Sequence, residues 1–179
     1  MAHAKSLRVI GQSLEAAGVT VFELEKDGQD HLVQSDSMTP AGEWILRNLK
    51  GESVSTEDSV RRSSVSNPLR FTPLDISWLD SHWQKQRRNH SSSQTQASNK
   101  LSQLLRSLGD HLDRAGASFF HVSWTRDSVS VDYRAGDGRS DCRTFTPEKL
   151  QELGLHTRFR RSSQSANRST VGRKIPIRS

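Results

Sequence analysis

Residues 10–24 read IGQSLEAAGVTVFEL, and residues 108–122 read LGDHLDRAGASFFHV. At an offset of 98, Leu7 meets Leu105, Arg8 meets Arg106, Ile10 meets Leu108 and Gly11 meets Gly109. Leu14, Glu15, Ala17, Gly18 and Phe22 then meet Leu112, Asp113, Ala115, Gly116 and Phe120, and Val33 meets Val131. An internal repeat constrains architecture more strongly than any local pattern, so the fold is read from this pair outward.

Each copy opens as a helix. Leu7, Ile10, Leu14 and Ala17 fall on one helical face, as do Leu101, Leu104, Leu105, Leu108, Leu112 and Ala115. Ser6 and Ser98 are the expected N-caps, and Gly18 and Gly116 the expected C′ residues. The period then switches to two. Phe120, Val122 and Trp124 alternate with His121 and Ser123, and Val129, Val131 and Tyr133 with Ser130 and Asp132. This predicts two strands around a turn at Arg126-Asp127. In the first copy Phe22 and Leu24 mark one strand and His31 and Val33 the next, with the turn at Asp27-Gly28. A third strand is expected from Cys142 to Phe145, after the Gly136-Asp137-Gly138 turn.

The tripeptide FTP occurs at 71–73 and again at 145–147, each time with apolar residues at helical spacing behind it: Ile76 and Leu79, then Leu150 and Leu153. Thr-Pro is a helix start, with Thr as cap and Pro at N1. This second offset is 74, so the first copy carries a polar insertion of about 24 residues within 35–69. Trp44, Ile45 and Leu49 predict a short helix in it, opened by Thr39-Pro40.

The expectation is an α+β protein made by tandem duplication of a small α-β-β-(β)-α unit. The strands are antiparallel and the units pack about a pseudo-twofold axis. The first unit occupies 1–93 and the second 94–161, and 162–179 form a basic disordered tail. Neither unit alone buries enough apolar surface to stand by itself. Gly11 and Gly109 sit mid-helix, where glycine costs about 1 kcal/mol against alanine. The expected compensation is a backbone lying against that face.

Hydrophobic residues make up 32% of the 179 residues and the mean hydropathy is -0.73, so the core is modest. Cys142 is the sole cysteine, which excludes an intrachain disulfide and any cysteine metal cluster. The first 18 residues read as an amphipathic helix rather than a signal peptide, and no apolar run reaches 18 residues. A cytoplasmic, soluble protein is the expectation. The net charge of +6 is uneven. Residues 1–60 hold 5 basic and 10 acidic side chains, 61–100 hold 7 and 2, 101–157 hold 7 and 8, and 158–179 hold 7 and none.

No sequence pattern names a reaction. His111, Asp113 and His121 have no His-x-x-x-His spacing, and the GDGRSDC segment at 136–142 lacks the remaining ligands of an EF-hand. They read as a solvated helix face, with an Asp110–Arg114 pair, and as a hairpin turn. Cys142 near Arg139 and Arg143, with His121 or His156 as base, is a weak nucleophile candidate beside its reading as a small buried strand residue. P-loop, dinucleotide-glycine and serine-hydrolase motifs are absent. Trp78, Trp83 and Phe159 lie near basic residues, where aromatic stacking on a nucleic-acid strand competes with core packing. No metal, cofactor or catalytic residue is expected.

What remains is charge. Arg61, Arg62, Arg87, Arg88, Arg158, Arg160, Arg161, Arg173 and Lys174 are the candidate contacts to an anionic partner, nucleic acid or an acidic protein. RRSSV at 61–65 also fits a basophilic kinase. The expectation is a non-catalytic binding or assembly module with Arg/Ser-rich arms. Two other readings compete: a protein-interaction or oligomerisation domain, for which a homo-oligomer is compatible, and a small hydrolase-like enzyme using Cys142 or a histidine between the repeats. The element order α-β-β-β-α resembles that of the double-stranded RNA-binding domain. That family's basic cluster at the start of the last helix has no counterpart in FTPLD or FTPEKL, where Asp75, Glu148 and Lys149 stand.

Overall fold

The computed structural model describes residues 3–35, 38–51, 68–89 and 100–152, with backbone only for Pro40 and for 87–89. It is an α+β fold. Helix α1 is His3–Ala16, and strands β1 and β2 are Phe22–Asp27 and Asp30–Gln34. Helix α2 is Pro40–Leu49, strand β3 is Leu69–Phe71 and helix α3 is Pro73–Asn89. Helix α4 is Lys100–Ala115, and strands β4, β5 and β6 are Phe119–Trp124, Val129–Arg134 and Ser140–Phe145. Residues 147–152 are helical. The six strands form one antiparallel sheet in the order β3-β2-β1-β4-β5-β6.

The first half also has a third strand, β3, which the sequence reading did not assign; it is only three residues long. The expected strand after the Gly136-Asp137-Gly138 turn, β6, starts two residues earlier than Cys142. The short helix in the insertion forms as expected. Thr39 Oγ1 accepts from Gly42 N–H at 3.1 Å, and Pro40 occupies the first turn. The FTP signal also holds. Thr72 Oγ1 accepts from Asp75 N–H at 3.2 Å while Asp75 Oδ2 accepts from Thr72 N–H at 2.8 Å, a reciprocal cap.

One face of the sheet is apolar. Phe22, Leu24, Val33, Phe71, Phe120, Val122, Val129, Val131 and Tyr133 are buried there with the inward leucines of α1 and α4. At the centre, β1 pairs with β4, with Leu24 opposite Val122. Phe22 and Trp124 stack across that junction at 5.7 Å between ring centroids.

The two long helices touch through their glycines. A Cβ on Gly11 would stand 2.7 Å from Ser102 Cα, and one on Gly109 would stand 2.5 Å from Ala4 Cα. This contact sets up a second one. Asp113, in the last turn of α4, accepts from His3 N–H at 2.8 Å and Ala4 N–H at 3.1 Å, while Glu15, in the last turn of α1, accepts from Leu101 N–H at 2.6 Å. Each helix therefore places a carboxylate on the electropositive end of the other. The expected local cap is displaced. Ser6 lies inside α1 and is buried, because the helix starts at His3, where Asp113 supplies the acceptor. Ser98 lies outside the described residues. Gly18 and Gly116 end the helices at φ +70° and +63°, and Val19 N–H and Ala117 N–H each bond back to a leucine carbonyl, Leu14 and Leu112, at 3.0 Å.

Helix α3 is tied to α1 by a buried carboxylate. Asp80 pairs with Lys5 Nζ at 3.1 Å and with the Arg8 guanidinium. Trp83 Nε1–H reaches Ser13 Oγ at 3.4 Å.

Two outcomes follow. Alanine at an open mid-helix glycine stabilises by about 1 kcal/mol. Gly11→Ala and Gly109→Ala will instead each lower stability by roughly 1–3 kcal/mol, because the added methyl meets backbone that cannot rotate away. Urea melts of the two variants check the sign. His31 is buried with neither ring nitrogen partnered among the described residues. Burial first, then the charges of His3 and Lys26, lower its pKa from 6.5 to about 4. Between those values the unfolded chain binds more protons, so stability is full at neutral pH and falls as pH drops from 6.5 through 4, by roughly 3 kcal/mol at most. Melts of His31→Leu across that window will show a flatter pH dependence than the parent.

Candidate functional site

The sheet's second face carries the alternate residues of every strand, and they are exposed or half-buried. Two rows cross all or most of it. One runs Arg70, Leu32, Glu25, His121, Asp132, Cys142, and the other Gln34, Glu23, Ser123, Ser130, Thr144. Glu23, Glu25, Asp27, Asp30 and Asp132 outnumber Arg70 and Arg134 there. Arg70 is already engaged by Asp30 at 3.1 Å and Asp27 at 3.7 Å. His121 Nε2 lies 3.9 Å from Glu23 Oε2. The face is acidic on balance and disfavours an anion.

The chemistry-bearing residues singled out in the sequence are dispersed by this geometry. Asp113 is used as the cap of α1. His111, expected on a solvated helix face, is half-buried with edge-on contacts to Tyr133 and Phe145 at 5.7 and 5.6 Å. Burial, then Arg143 and Arg114, lower its pKa. Arg114 Nε donates to the backbone oxygen of Asp110 at 3.0 Å. Asp137 Oδ1 accepts from Arg139 N–H at 3.0 Å, the bond of an ordinary Asx turn. No group of three or more His, Cys, Asp or Glu among the described residues is arranged to hold a metal ion.

Cys142 is exposed, not buried, because β6 is the last strand of the sheet. In its row Asp132 stands between it and His121, so the histidine has a carboxylate where a base would need the thiol. A hydrogen bond with Asp132, then the partial loss of solvent around it, push the thiol pKa up. A raised thiol is a poor nucleophile at neutral pH.

The most distinctive surface lies on α3. Leu74 and Trp78 are 81% and 49% exposed. Trp78, whose neighbours Ile76 and Leu79 are fully buried, points away from the core and stacks on His82 at 5.6 Å with 19° between the rings. Lys85 continues the same face, and the helix ends through Arg87 and Arg88. At the offset of 74, the outward positions of the second FTP segment are Glu148 and Glu152, where α3 has Leu74 and Trp78. The inward positions keep Ile76 against Leu150. Trp83, by contrast, packs at the rim of the core.

No protein-family model, curated protein or solved structure matches this chain. No described helix is long and apolar enough to cross a membrane. Arg61, Arg62, Phe159, Arg158, Arg160, Arg161, Arg173, Lys174, His156, the RRSSV segment and the 162–179 tail lie outside the described residues. Arg87 and Arg88 are placed by backbone at the end of α3.

The Cys142 thiol will alkylate with iodoacetamide more slowly at pH 8 than a free cysteine. Asp132→Asn will speed it, since the hydrogen-bonded carboxylate is what holds the proton on sulfur. A pH series of alkylation rates reads both.

Proposed function

We propose that the chain is a tandem duplication folded about a pseudo-twofold axis, and that it serves as a non-catalytic binding module for an anionic partner, single-stranded nucleic acid first among them. Several correspondences support the duplication. Gly11 meets Ser102 while Gly109 meets Ala4, residues related in both cases by the offset of 98. Leu24 pairs with Val122, its own equivalent, as an axis at the centre of the sheet would require. Glu15 and Asp113 are equivalents, and so are the termini they cap.

The binding reading rests on one observation: the exposed Trp78–His82 stack on α3, with Lys85 one turn further on. A surface aromatic beside cations is how strands of nucleic acid are held without sequence readout, since every base offers a ring face and every nucleotide a phosphate. The equivalent face of the second unit carries carboxylates, so the apolar residues are a property of this helix and not of the shared scaffold. The seven basic and no acidic side chains of 158–179 would add the long-range attraction.

Binding of a fluorescent oligonucleotide, followed by anisotropy at several salt concentrations, tests this. The parent protein is expected to bind with an affinity that falls steeply with salt. Trp78→Ala should weaken it roughly 10-fold, and removal of 160–179 should flatten the salt slope. Binding indifferent to both changes, or none at low salt, overturns the proposal.

A further inference from the structure

The sheet has two ends, and they differ. β3 is three residues long; β6 is six, without a proline, and pairs with β5 in continuous register from Arg134:Ser140 to Val129:Phe145. No described strand lies beyond it. Two turn bonds fix the direction of its backbone groups. Ala135 N–H donates to Arg139 O at 2.8 Å, and Thr125 N–H donates to Ser128 O at 2.9 Å. Hydrogen-bonding direction alternates along an antiparallel strand. Carried along both hairpins, the alternation agrees: 129, 131 and 133 of β5 face β6, and 141, 143 and 145 of β6 face β5. Ser140, Cys142 and Thr144 therefore turn their N–H and C=O groups outward, into a row with no strand partner among the described residues.

We propose that β6 pairs with β6 of a second copy of this chain, antiparallel and centred on Cys142, joining two sheets edge to edge. The side chains select this register. Centred on Cys142, the strand sets Asp141 against Arg143 of the second copy on both sides of the axis, and Ser140 against Thr144. Centred one residue earlier, it sets Asp141 against itself; one residue later, Arg143 against itself. Like charges directly opposed destabilise a strand pair. The carboxylate is already held in place, since Asp141 Oδ2 accepts from Tyr133 O–H at 2.8 Å and from Arg143 Nε at 2.8 Å. The centred register also brings outward groups only against outward groups, giving about six backbone hydrogen bonds. Charges on an edge strand often serve to prevent such pairing. A pair of alternating sign that is complementary to itself does the opposite. The axis lies perpendicular to the sheet, so both helix layers stay on one side and both acidic faces on the other. An edge contact of this size makes a weak, concentration-dependent dimer.

Sedimentation velocity of the full chain over a wide concentration range tests this, with thermal melts confirming that each variant folds. The parent should shift from monomer to dimer. Arg143→Asp, which opposes two carboxylates on each side of the axis, should leave it monomeric. The exchange Asp141→Arg with Arg143→Asp should restore the dimer. Thr144→Pro removes an outward N–H without touching the bonds to β5, and should also give monomer. A thiol-specific cross-linker on the sole cysteine, Cys142, should capture the dimer of the parent and not of Arg143→Asp. A parent that stays monomeric throughout, or a dimer that survives both Arg143→Asp and Thr144→Pro, overturns the proposal.

Discussion

The contact between α1 and α4 through Gly11 and Gly109 is the constraint on which the rest of the structure hangs. A backbone-to-backbone approach needs a residue with no side chain on each helix, and each glycine faces the first turn of the opposite helix. Several features depend on that proximity. It brings Glu15 and Asp113 within bonding distance of termini that would otherwise leave amide groups unsatisfied. It lets α1 and α4 share one apolar layer, so that β1 and β4 lie side by side and six strands become one sheet. The helix-propensity cost of two glycines, about 2 kcal/mol together, is offset by burial that neither half reaches alone.

The same economy explains why the titratable residues singled out in the sequence are spread through the structure. Groups that chemistry would need are committed to structure. Asp113 satisfies amides, His111 fills a gap against Tyr133 and Phe145, and Asp80 binds α3 to α1 through Lys5 and Arg8. His121, Asp132 and Cys142 share a row in an order that keeps the imidazole from the thiol. Two features have no structural task among the described residues: an aromatic pair on α3 and the outer edge of β6. They are where the two proposed partners, a nucleic-acid strand and a second copy of the chain, would dock.

Much of this was legible in the sequence, for reasons that can be stated. Leucines at helical spacing and alternating aromatics report which face of an element is buried, and burial is what shaped them. The two FTP segments and Thr39-Pro40 report helix starts through contacts within a few residues. Most of the misses are long-range. Ser6 looked like a cap because the true acceptor, Asp113, is over a hundred residues away. Trp78 looked close to the core because Ile76 and Leu79 flank it, yet the 100° step per residue carries it off their face. Cys142 looked buried because strand order, and with it the position of the sheet's edge, is not written in any one strand. The buried imidazole of His31, unpartnered among the described residues, is likewise invisible until α1 and the sheet close over it.

The central strand pair has a consequence for how the protein comes into being. Leu24 meets Val122 and Gly11 meets Ser102, so the contacts that complete the core join residues roughly a hundred positions apart. Topologies dominated by such separations fold slowly. Translation adds about 5–20 residues per second. During synthesis α1 therefore waits some 5–20 seconds with Leu7, Ile10 and Leu14 uncovered, and β1 waits with its inner edge open, before α4 and β4 have been made. For that interval the nascent first half presents the cell with an unprotected apolar helix and a bare strand, the surfaces that chaperones bind and that aggregation exploits.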